Sequence, residues 1–219
     1  MRLPPLLALA AALPLAACNA QTAQTTPPVQ VAALAPAAGA PTAATALTEE
    51  ARKARDKEWT RLAPHAVVDP KIARTTVDFA GREEPGTVIV STRERRLYYV
   101  LPGGKAVRYP VAVGKAGMSW SGSAEVDRKI EWPDWNPPAE MLARRPDLPK
   151  RTEGGPTNPI GARALYLAEN RRDTLFRIHG TNEPEKIGQA VSSGCIRMLN
   201  EDVMDLYERV PIGARVVVR

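Results

Sequence analysis

The stretch from Arg96 to Val113 decides the fold class of this 219-residue chain. It contains two runs rich in apolar and aromatic residues, RLYYVL over Arg96–Leu101 and AVRYPVAV over Ala106–Val113. Pro102-Gly103-Gly104 lies between them, and a short Pro/Gly segment between two such runs is typical of a β-hairpin. We therefore predict two antiparallel strands that are joined by a tight turn.

Runs of the same kind recur on both sides of this hairpin. They are Thr87–Val90, Ser123–Trp132, Ala164–Ala168, Leu175–His179 and Arg215–Val218. Strands this short and this regularly spaced favour a sandwich or a barrel. The sequence therefore predicts that residues 86–219 form a mostly β domain, a β-sandwich or barrel with a few short helices.

Two segments have helical rather than strand character. Thr48–Leu62 is charged throughout and begins Thr-Glu-Glu, which suits a helix N-terminus. We predict a short amphipathic helix there, packed by Trp59 and Leu62. Apolar residues recur at helical spacing within Asn200–Val210. We predict a second helix there, with Asn200 as its N-cap.

The N-terminus has the pattern of an export signal. A basic Met1-Arg2 precedes the apolar run Leu3–Leu15, which is shorter than the ~18–20 residues needed to span a bilayer. Small residues follow this run, so residues 1–17 are predicted to be a signal peptide.

The junction Leu15-Ala16-Ala17-Cys18 resembles the lipobox of bacterial lipoproteins. That resemblance implies cleavage before Cys18 and acylation of its sulfur, with several acyl chains giving stable membrane attachment. Ordinary signal cleavage after Ala17 or Ala20 is the alternative. The residue after the cysteine is Asn19 rather than Asp, which favours the outer membrane over the inner one.

Composition divides the rest of the chain before the β domain into two parts. Residues 18–47 are rich in Ala, Pro and Thr and almost uncharged, so they are predicted to be a disordered tether. Residues 48–85 form a helical and irregular lead-in, because three prolines interrupt residues 63–85. The net charge of +6 suggests an anionic partner. Export to the periplasm excludes nucleic acid and leaves peptidoglycan, whose stem peptides carry carboxylates.

A cysteine and a histidine stand out as candidate reactive groups. His179 ends an apolar run and is followed by Gly180, so a strand would hold it firmly at an accessible edge. Cys195 follows the small, polar turn Ser192-Ser193-Gly194. A thiol next to an imidazole base is the usual arrangement for acyl transfer through a thioester. An inert, buried cysteine is the alternative. With two cysteines and two histidines in the chain, a Cys/His zinc site is improbable.

Three blocks around these residues resemble the L,D-transpeptidases of the YkuD family. They are NPIGA over residues 158–162, IHGTN over 178–182 and IGQAVSSGCIRM over 187–198. The resemblance extends over about Gly86 to Val218. It implies a sandwich-like β-barrel and chemistry that needs no metal or nucleotide cofactor.

The resemblance also implies roles for single residues. Cys195 is the expected nucleophile and His179 the expected general base, with the Gly180 carbonyl orienting the imidazole through Nδ1–H. The backbone N–H groups of Gly194 and Cys195 are expected to form the oxyanion hole.

Three further residues are candidate substrate contacts. Arg197 offers a planar guanidinium to a substrate carboxylate, with a structural ion pair as the alternative. Ser192 is either a polar contact or a turn residue. Ser193 occupies the position where many members of the family have a histidine. Separately, Trp132 and Trp135 lie among prolines and are expected to pack a loop rather than form a platform for a sugar or a peptide.

The reaction implied by the resemblance is a two-step acyl transfer. The thiol attacks the carbonyl of the third stem-peptide residue, D-Ala leaves, and an amine of a neighbouring stem takes the acyl group in a 3→3 cross-link. Water as acceptor would make the enzyme an L,D-carboxypeptidase, and a protein amine would make it an anchoring enzyme. A non-catalytic wall-binding lipoprotein is the alternative from another class. A cysteine protease fits the Cys–His pair but not the resemblance.

Overall fold

Eleven strands form two sheets in the computed structural model, which describes residues 47–116, 118 and 120–219. The strands are β1 (Thr75–Asp78), β2 (Val88–Ser91), β3 (Arg96–Leu101), β4 (Lys105–Pro110), β5 (Val113–Gly114), β6 (Gly122–Glu131), β7 (Arg163–Glu169), β8 (Arg172–His179), β9 (Ala190–Ser192), β10 (Ile196–Arg197) and β11 (Arg215–Val218). The helices are α1 (Glu49–Leu62), α2 (Ala139–Arg144) and α3 (Asn200–Arg209), with a 3₁₀ turn over Pro184–Lys186. Among these described residues, no helix is both long and apolar enough to cross a membrane. The predicted signal peptide, Cys18 and nearly all of the predicted tether lie outside the described residues.

The main sheet has nine strands in the order β1-β4-β3-β2-β11-β6-β7-β8-β10, and β5 pairs with β9 in a small second sheet. Most neighbours in the main sheet are antiparallel, but β2 pairs in parallel with β11 and β8 pairs in parallel with β10. A parallel pair requires a long crossover between its strands. The crossover from β8 to β10 contains the 3₁₀ turn and β9, and it ends at Cys195, directly before β10.

The core lies on one face of these strands and under α3. Its fully buried members come from β2, β3, β4, β6, β7, β8, α3, β11 and adjoining loops, and they include Val88, Leu97, Tyr109, Leu165, Ile178, Leu206 and Val216. Some strands are buried on both faces, as in β2, where Val88, Ile89 and Val90 are all buried.

The predicted mostly β fold with a few helices is confirmed. The Arg96–Leu101 strand has the predicted bounds, and the turn after it contains Gly103 and Gly104 with positive φ. Strands β1, β9 and β10 and helix α2 were not predicted. Two of these strands have three residues or fewer, which is too short for alternation to be visible. Strand β1 is mostly exposed, and its sequence, Thr-Thr-Val-Asp, has no alternation of apolar and polar residues by which a strand could be predicted.

Helix α1 begins as predicted but packs differently. The Thr48 side chain accepts a hydrogen bond from the Ala51 N–H at 3.2 Å, which caps the helix. Trp59 packs edge-on against Trp132 with ring centroids 5.2 Å apart. The prediction for Leu62 was wrong, because this side chain is 52% exposed. The residue of α1 that is buried is instead a charged one, Asp56.

Helix α3 occupies the predicted segment, but the prediction that Asn200 is its N-cap was wrong. Leu199 is the N-cap residue, and it makes no side-chain capping hydrogen bond. The Asn200 carboxamide instead accepts hydrogen bonds from the N–H groups of Ala162 and Thr181, at 3.0 and 3.2 Å. It also donates to the Thr181 carbonyl at 3.0 Å. Asn200 therefore joins α3 to the segment that directly follows β8.

A buried ion pair joins α1 to the sheet. Asp56 accepts a hydrogen bond from Arg163 of β7 at 2.5 Å and another from the Trp132 Nε1–H at 2.7 Å. Arg163 is only 1% exposed, and Asp56 is 8% exposed. Arg55 of α1 adds an ion pair with Glu131 at 2.6 Å. Trp132 is buried and packs against Trp59 and Asp56 of α1, as expected for a packing role. Trp135 is half-buried and exchanges backbone hydrogen bonds with Thr152.

Replacing Asp56 should destabilise the domain, because the Arg163 guanidinium would remain buried without its counter-charge. We expect Asp56→Ala to lower the free energy of unfolding by about 3–5 kcal/mol. Asp78→Ala is the control: Asp78 pairs with Lys105 on the surface, and its loss should cost less than about 1 kcal/mol. Urea unfolding of both variants measures the difference. Equal, small losses would contradict a structural role for the buried pair.

Candidate active site

The parallel pairing of β8 with β10 brings the two candidate reactive residues together. Ile196 pairs with Ile178, and Arg197 pairs with His179. Both isoleucines are buried in the core. Because side chains alternate between the two faces of a strand, Cys195 and His179 lie on the opposite face from the isoleucines. If the same register is extended by one residue toward the N-terminus, Cys195 lies beside Arg177, which is two positions before His179 in β8.

The thiol of Cys195 is half-buried. Its Sγ lies 3.9 Å from the carbonyl oxygen of Leu175, to which it donates a weak hydrogen bond. In the described part of the chain, Sγ makes no hydrogen bond to the His179 ring. Hydrogen bonds between catalytic groups are often long or misaligned without substrate and tighten in the complex. A direct Cys195–His179 proton transfer therefore stays a prediction.

The imidazole of His179 is 5% exposed and is fixed by a backbone carbonyl. Its Nδ1 lies 2.7 Å from the carbonyl oxygen of Gly180, the contact that the resemblance implies. A carbonyl can only accept, so the Gly180 contact favours the neutral ring that carries its proton on Nδ1 and a lone pair on Nε2. The backbone carbonyl of Ile160 is a second hydrogen-bond acceptor next to the ring. The tautomer with its proton on Nδ1 is the one that a general base requires.

Burial keeps both groups neutral near pH 7. It lowers the pKa of His179 to about 4, with the positive charges of Arg197 and Arg177 acting in the same direction. Burial also raises the pKa of the Cys195 thiol, which the Arg177 N–H and the same two guanidinium groups partly offset. The resting site therefore holds a thiol and a neutral imidazole rather than a preformed ion pair. This arrangement suits proton transfer that accompanies attack on a substrate carbonyl.

Gly194 has a backbone conformation that other residues rarely adopt. Its φ is +125°, and a Cβ at this position would lie 2.5 Å from the Phe176 ring and 2.9 Å from the Met118 carbonyl oxygen. Its N–H donates a hydrogen bond to the Ser192 hydroxyl at 3.1 Å. The Cys195 N–H has no hydrogen-bond partner among the described residues. Of the two predicted oxyanion donors, the Cys195 N–H is therefore available among the described residues. The Gly194 N–H would have to bind the oxyanion and the Ser192 hydroxyl together.

The three predicted substrate contacts lie in different environments. Ser192 is 2% exposed, and its hydroxyl donates to the Cys195 carbonyl at 2.6 Å. The structure thus gives Ser192 the alternative turn role, and its burial excludes direct contact with substrate in this conformation. Ser193 is exposed beside it. Arg197 forms an ion pair with Glu183 at 2.7 Å, which is the structural alternative to a substrate contact. Substrate binding by Arg197 and Ser193 stays a prediction.

Sequence reasoning missed the irregular start of β8 next to the thiol. Tyr166 pairs with Arg177 and Ala168 with Asp173, so β8 contains two more residues than β7 between these pairs. Leu175 lies in this bulge with a φ of +63° and its side chain 76% exposed. The Asp173 carboxylate accepts a hydrogen bond from the Leu175 N–H at 2.8 Å. The Asp-Thr pair directly before the run Leu175–His179 was the available sequence signal for this turn.

Aromatic residues form one wall near Gly194. Trp120 stacks on Phe176 with ring centroids 5.5 Å apart. Met118 is 45% exposed, and its carbonyl oxygen is close to Gly194. Among the described residues, no group of three or more His, Cys, Asp or Glu side chains could hold a metal ion.

A family model described as the L,D-transpeptidase catalytic domain, YkuD, matches residues 85–218. The chain belongs to the YkuD family. The probable L,D-transpeptidase ErfK/SrfK of Escherichia coli is 38% identical over 138 residues, which are 59% of this chain and 42% of that protein. The putative L,D-transpeptidase YqjB of Bacillus subtilis is 36% identical over 134 residues, which are 60% of this chain and 69% of that protein. This YkuD domain thus spans well under half the length of the Escherichia coli relative.

A solved structure from Brucella melitensis, described as a probable carnitine operon oxidoreductase caia, is 46% identical to this chain. The match covers 69% of this chain and 96% of that one, with a TM-score of 0.48. The oxidoreductase name is that protein's own and is not transferred to this YkuD domain.

The depressed pKa of His179 makes a prediction about stability. The unfolded imidazole takes up a proton near pH 6.5, whereas the folded one does so only near pH 4. Between these values the unfolded state binds more protons, so wild type loses stability as the pH falls, by up to about 3 kcal/mol. His179→Asn should lack this loss. Urea unfolding between pH 7 and pH 4 measures it.

Two features sharpen this comparison. The pKa of Asp202 is raised to about 7 by burial, which makes its contribution grow as the pH falls. It is present in both proteins, so it cancels in the difference between them. His65→Asn, which removes an exposed histidine, should keep the wild-type pH dependence. Parallel pH profiles for wild type and His179→Asn would show that the imidazole is not buried as described.

Proposed function

We propose that this protein is a peptidoglycan L,D-transpeptidase that forms 3→3 cross-links through a Cys195 thioester. The single observation that supports it best is the β8–β10 register, which puts the Cys195 thiol and the His179 imidazole on one face of adjacent strands. Membership of the YkuD family supplies the reaction class. The stem-peptide substrate and the 3→3 product are the proposed parts.

In the first half-reaction the thiol attacks the carbonyl carbon of the third stem-peptide residue. His179 Nε2 takes the proton from Sγ as the S–C bond forms, because Nδ1 is occupied by the Gly180 carbonyl. The negative charge on the substrate oxygen faces the Cys195 N–H and the Gly194 N–H. The tetrahedral intermediate collapses by breaking the bond to D-Ala. The imidazolium returns its proton to the departing amine.

In the second half-reaction the acceptor amine attacks the thioester. His179 takes a proton from this amine, the C–S bond breaks, and the sulfur leaves as a thiolate that the imidazolium reprotonates. The starting protonation state is restored, and no oxidant, reductant or metal is consumed. Burial of the imidazole favours its neutral form, so the base is ready at the beginning of each half-reaction.

Purified protein that is incubated with tetrapeptide monomers should release D-Ala and form a cross-linked dimer. Cys195→Ala should abolish both products. His179→Asn should lower the rate of D-Ala release by about 10²–10⁴-fold, the usual contribution of a general base. His65→Asn is the matched control, since it removes the other histidine of the chain, which is exposed, and it should retain the wild-type rate. Mass spectrometry measures the D-Ala and the dimer that wild type and each of the three variants form.

Other outcomes separate the alternatives. Release of D-Ala with no dimer would replace cross-linking with L,D-carboxypeptidase activity. Binding to peptidoglycan with no D-Ala release and no covalent adduct would contradict the enzyme and support a wall-binding lipoprotein.

We also propose that the protein is exported, acylated at Cys18 and held at the periplasmic face of the outer membrane. The supporting observations are the basic and apolar start of the chain and the Leu15-Ala16-Ala17-Cys18 junction. Wild type should fractionate with the outer membrane and carry an acyl mass at its N-terminal cysteine, whereas Cys18→Ala should lack that mass and leave the membrane fraction. A wild-type protein without acyl groups would contradict this proposal.

A further inference from the structure

Two arginines and a tyrosine form a row that leads away from the thiol across the sheet. Arg128 of β6 pairs with Tyr166 of β7, and Tyr166 pairs with Arg177 of β8. The register of β8 with β10 continues the row to Cys195. The neighbours of Tyr166 along β7, Leu165 and Leu167, are buried in the core, so Tyr166 faces the other side, as Cys195 does.

Both guanidinium groups stack on the ring between them. The Arg128 Cζ lies 4.2 Å from the centroid of the Tyr166 ring, and the Arg177 Cζ lies 4.4 Å from it. Cation–π contacts of this length hold the guanidinium planes against the ring. We call these three residues the Arg128–Tyr166–Arg177 stack.

The charge of the stack is only partly neutralised. The Arg177 guanidinium donates two hydrogen bonds to the Asp173 carboxylate, at 2.6 and 2.7 Å. Arg128 is exposed and has no ion-pair partner among the described residues. The stack and Asp173 together therefore carry a net charge of about +1. Arg197, the other guanidinium close to the thiol, is already paired with Glu183. Of these three guanidinium groups, Arg128 is therefore the one without a carboxylate partner in the part of the chain that the structure describes.

A stacked arginine is well suited to bind a carboxylate. Stacking leaves the edge of the guanidinium free for two parallel N–H···O bonds. Because Tyr166 already restrains the side chain, less conformational entropy is lost when the ligand binds.

Distance identifies which carboxylate would reach it. Neighbouring strands lie about 4.8 Å apart, so the position of Tyr166, over which the Arg128 guanidinium lies, is about 10 Å from that of Cys195. In a stem peptide the residue before the attacked one is a γ-linked D-glutamate. Its free α-carboxylate lies roughly 9 Å along the extended chain from the attacked carbonyl, from ordinary bond lengths.

We propose that the Arg128–Tyr166–Arg177 stack binds the free α-carboxylate of this γ-linked glutamate and selects acyl donors that carry it. The inference rests on the proposed function, because it assumes that Cys195 attacks a stem peptide. It gives Arg128 a role in specificity that is separate from the chemistry at the thiol. A cavity of about 480 Å³ lies at the β7–β8 turn, and its lining includes Asp173, the ion-pair partner of Arg177.

Two tetrapeptide donors that differ in one group test the proposal. One has a free α-carboxylate on the glutamate, and the other has a carboxamide there. We expect the kcat/KM for D-Ala release from wild type to be about 10- to 100-fold higher for the carboxylate donor, the usual range for one charge-assisted contact. Arg128→Gln should reduce this ratio to less than about threefold. Arg93→Gln, which removes an exposed arginine from the β2–β3 turn, should keep the wild-type ratio.

The outcomes are distinct. Equal kcat/KM values for both donors with wild type, or an unchanged ratio in Arg128→Gln, would overturn the proposed specificity and leave the transpeptidase proposal standing. Failure of wild type to react with either donor would overturn the proposed function and this inference with it.

Discussion

The parallel pairing of two residues, Ile196 and Arg197, with the end of β8 is the constraint on which the site depends. It fixes Cys195 on the same face as His179 although 15 residues separate them in the sequence. A slip of one residue would turn the thiol toward the core, because strand side chains alternate. Ile196 opposes this slip, because it is buried beside Ile178 and would move to the outer face. The packing of the core therefore sets the chemistry of the opposite face.

The same face combines burial with positive charge, and the two effects act differently on its reactive groups. Burial disfavours the thiolate and the imidazolium alike. The nearby Arg177 and Arg197 stabilise the thiolate but oppose the imidazolium. In the resting protein the thiol and the imidazole are consequently both neutral. The proton moves from sulfur to the imidazole only when the sulfur attacks a substrate carbonyl, whose oxygen then takes the negative charge. Backbone geometry contributes as well, because Leu175, which has a positive φ, places its carbonyl oxygen 3.9 Å from the Cys195 Sγ.

Local signals predicted much of this structure, and contacts distant in sequence account for most of the misses. The bounds of β3 and the Thr48 cap depend on neighbouring residues, and both were predictable. The burial of Asp56 was not, because its partner Arg163 is 107 positions away. The sequence predicted Asn200 as a helix cap, but its side chain forms hydrogen bonds with Thr181, after β8, and with Ala162 instead. At the site, motif residues identified Cys195 and His179. The ion pair of Arg197, the buried hydroxyl of Ser192 and the stacking of Arg128 depend on the folded sheet.

The most direct test of the account is to locate the acyl group in a trapped intermediate. After a short reaction with a tetrapeptide donor, tandem mass spectrometry of the digested protein should find the donor, less its D-Ala, attached to the sulfur of Cys195. An acyl group on any other residue, or release of D-Ala by a protein in which Cys195 is replaced by alanine, would contradict it.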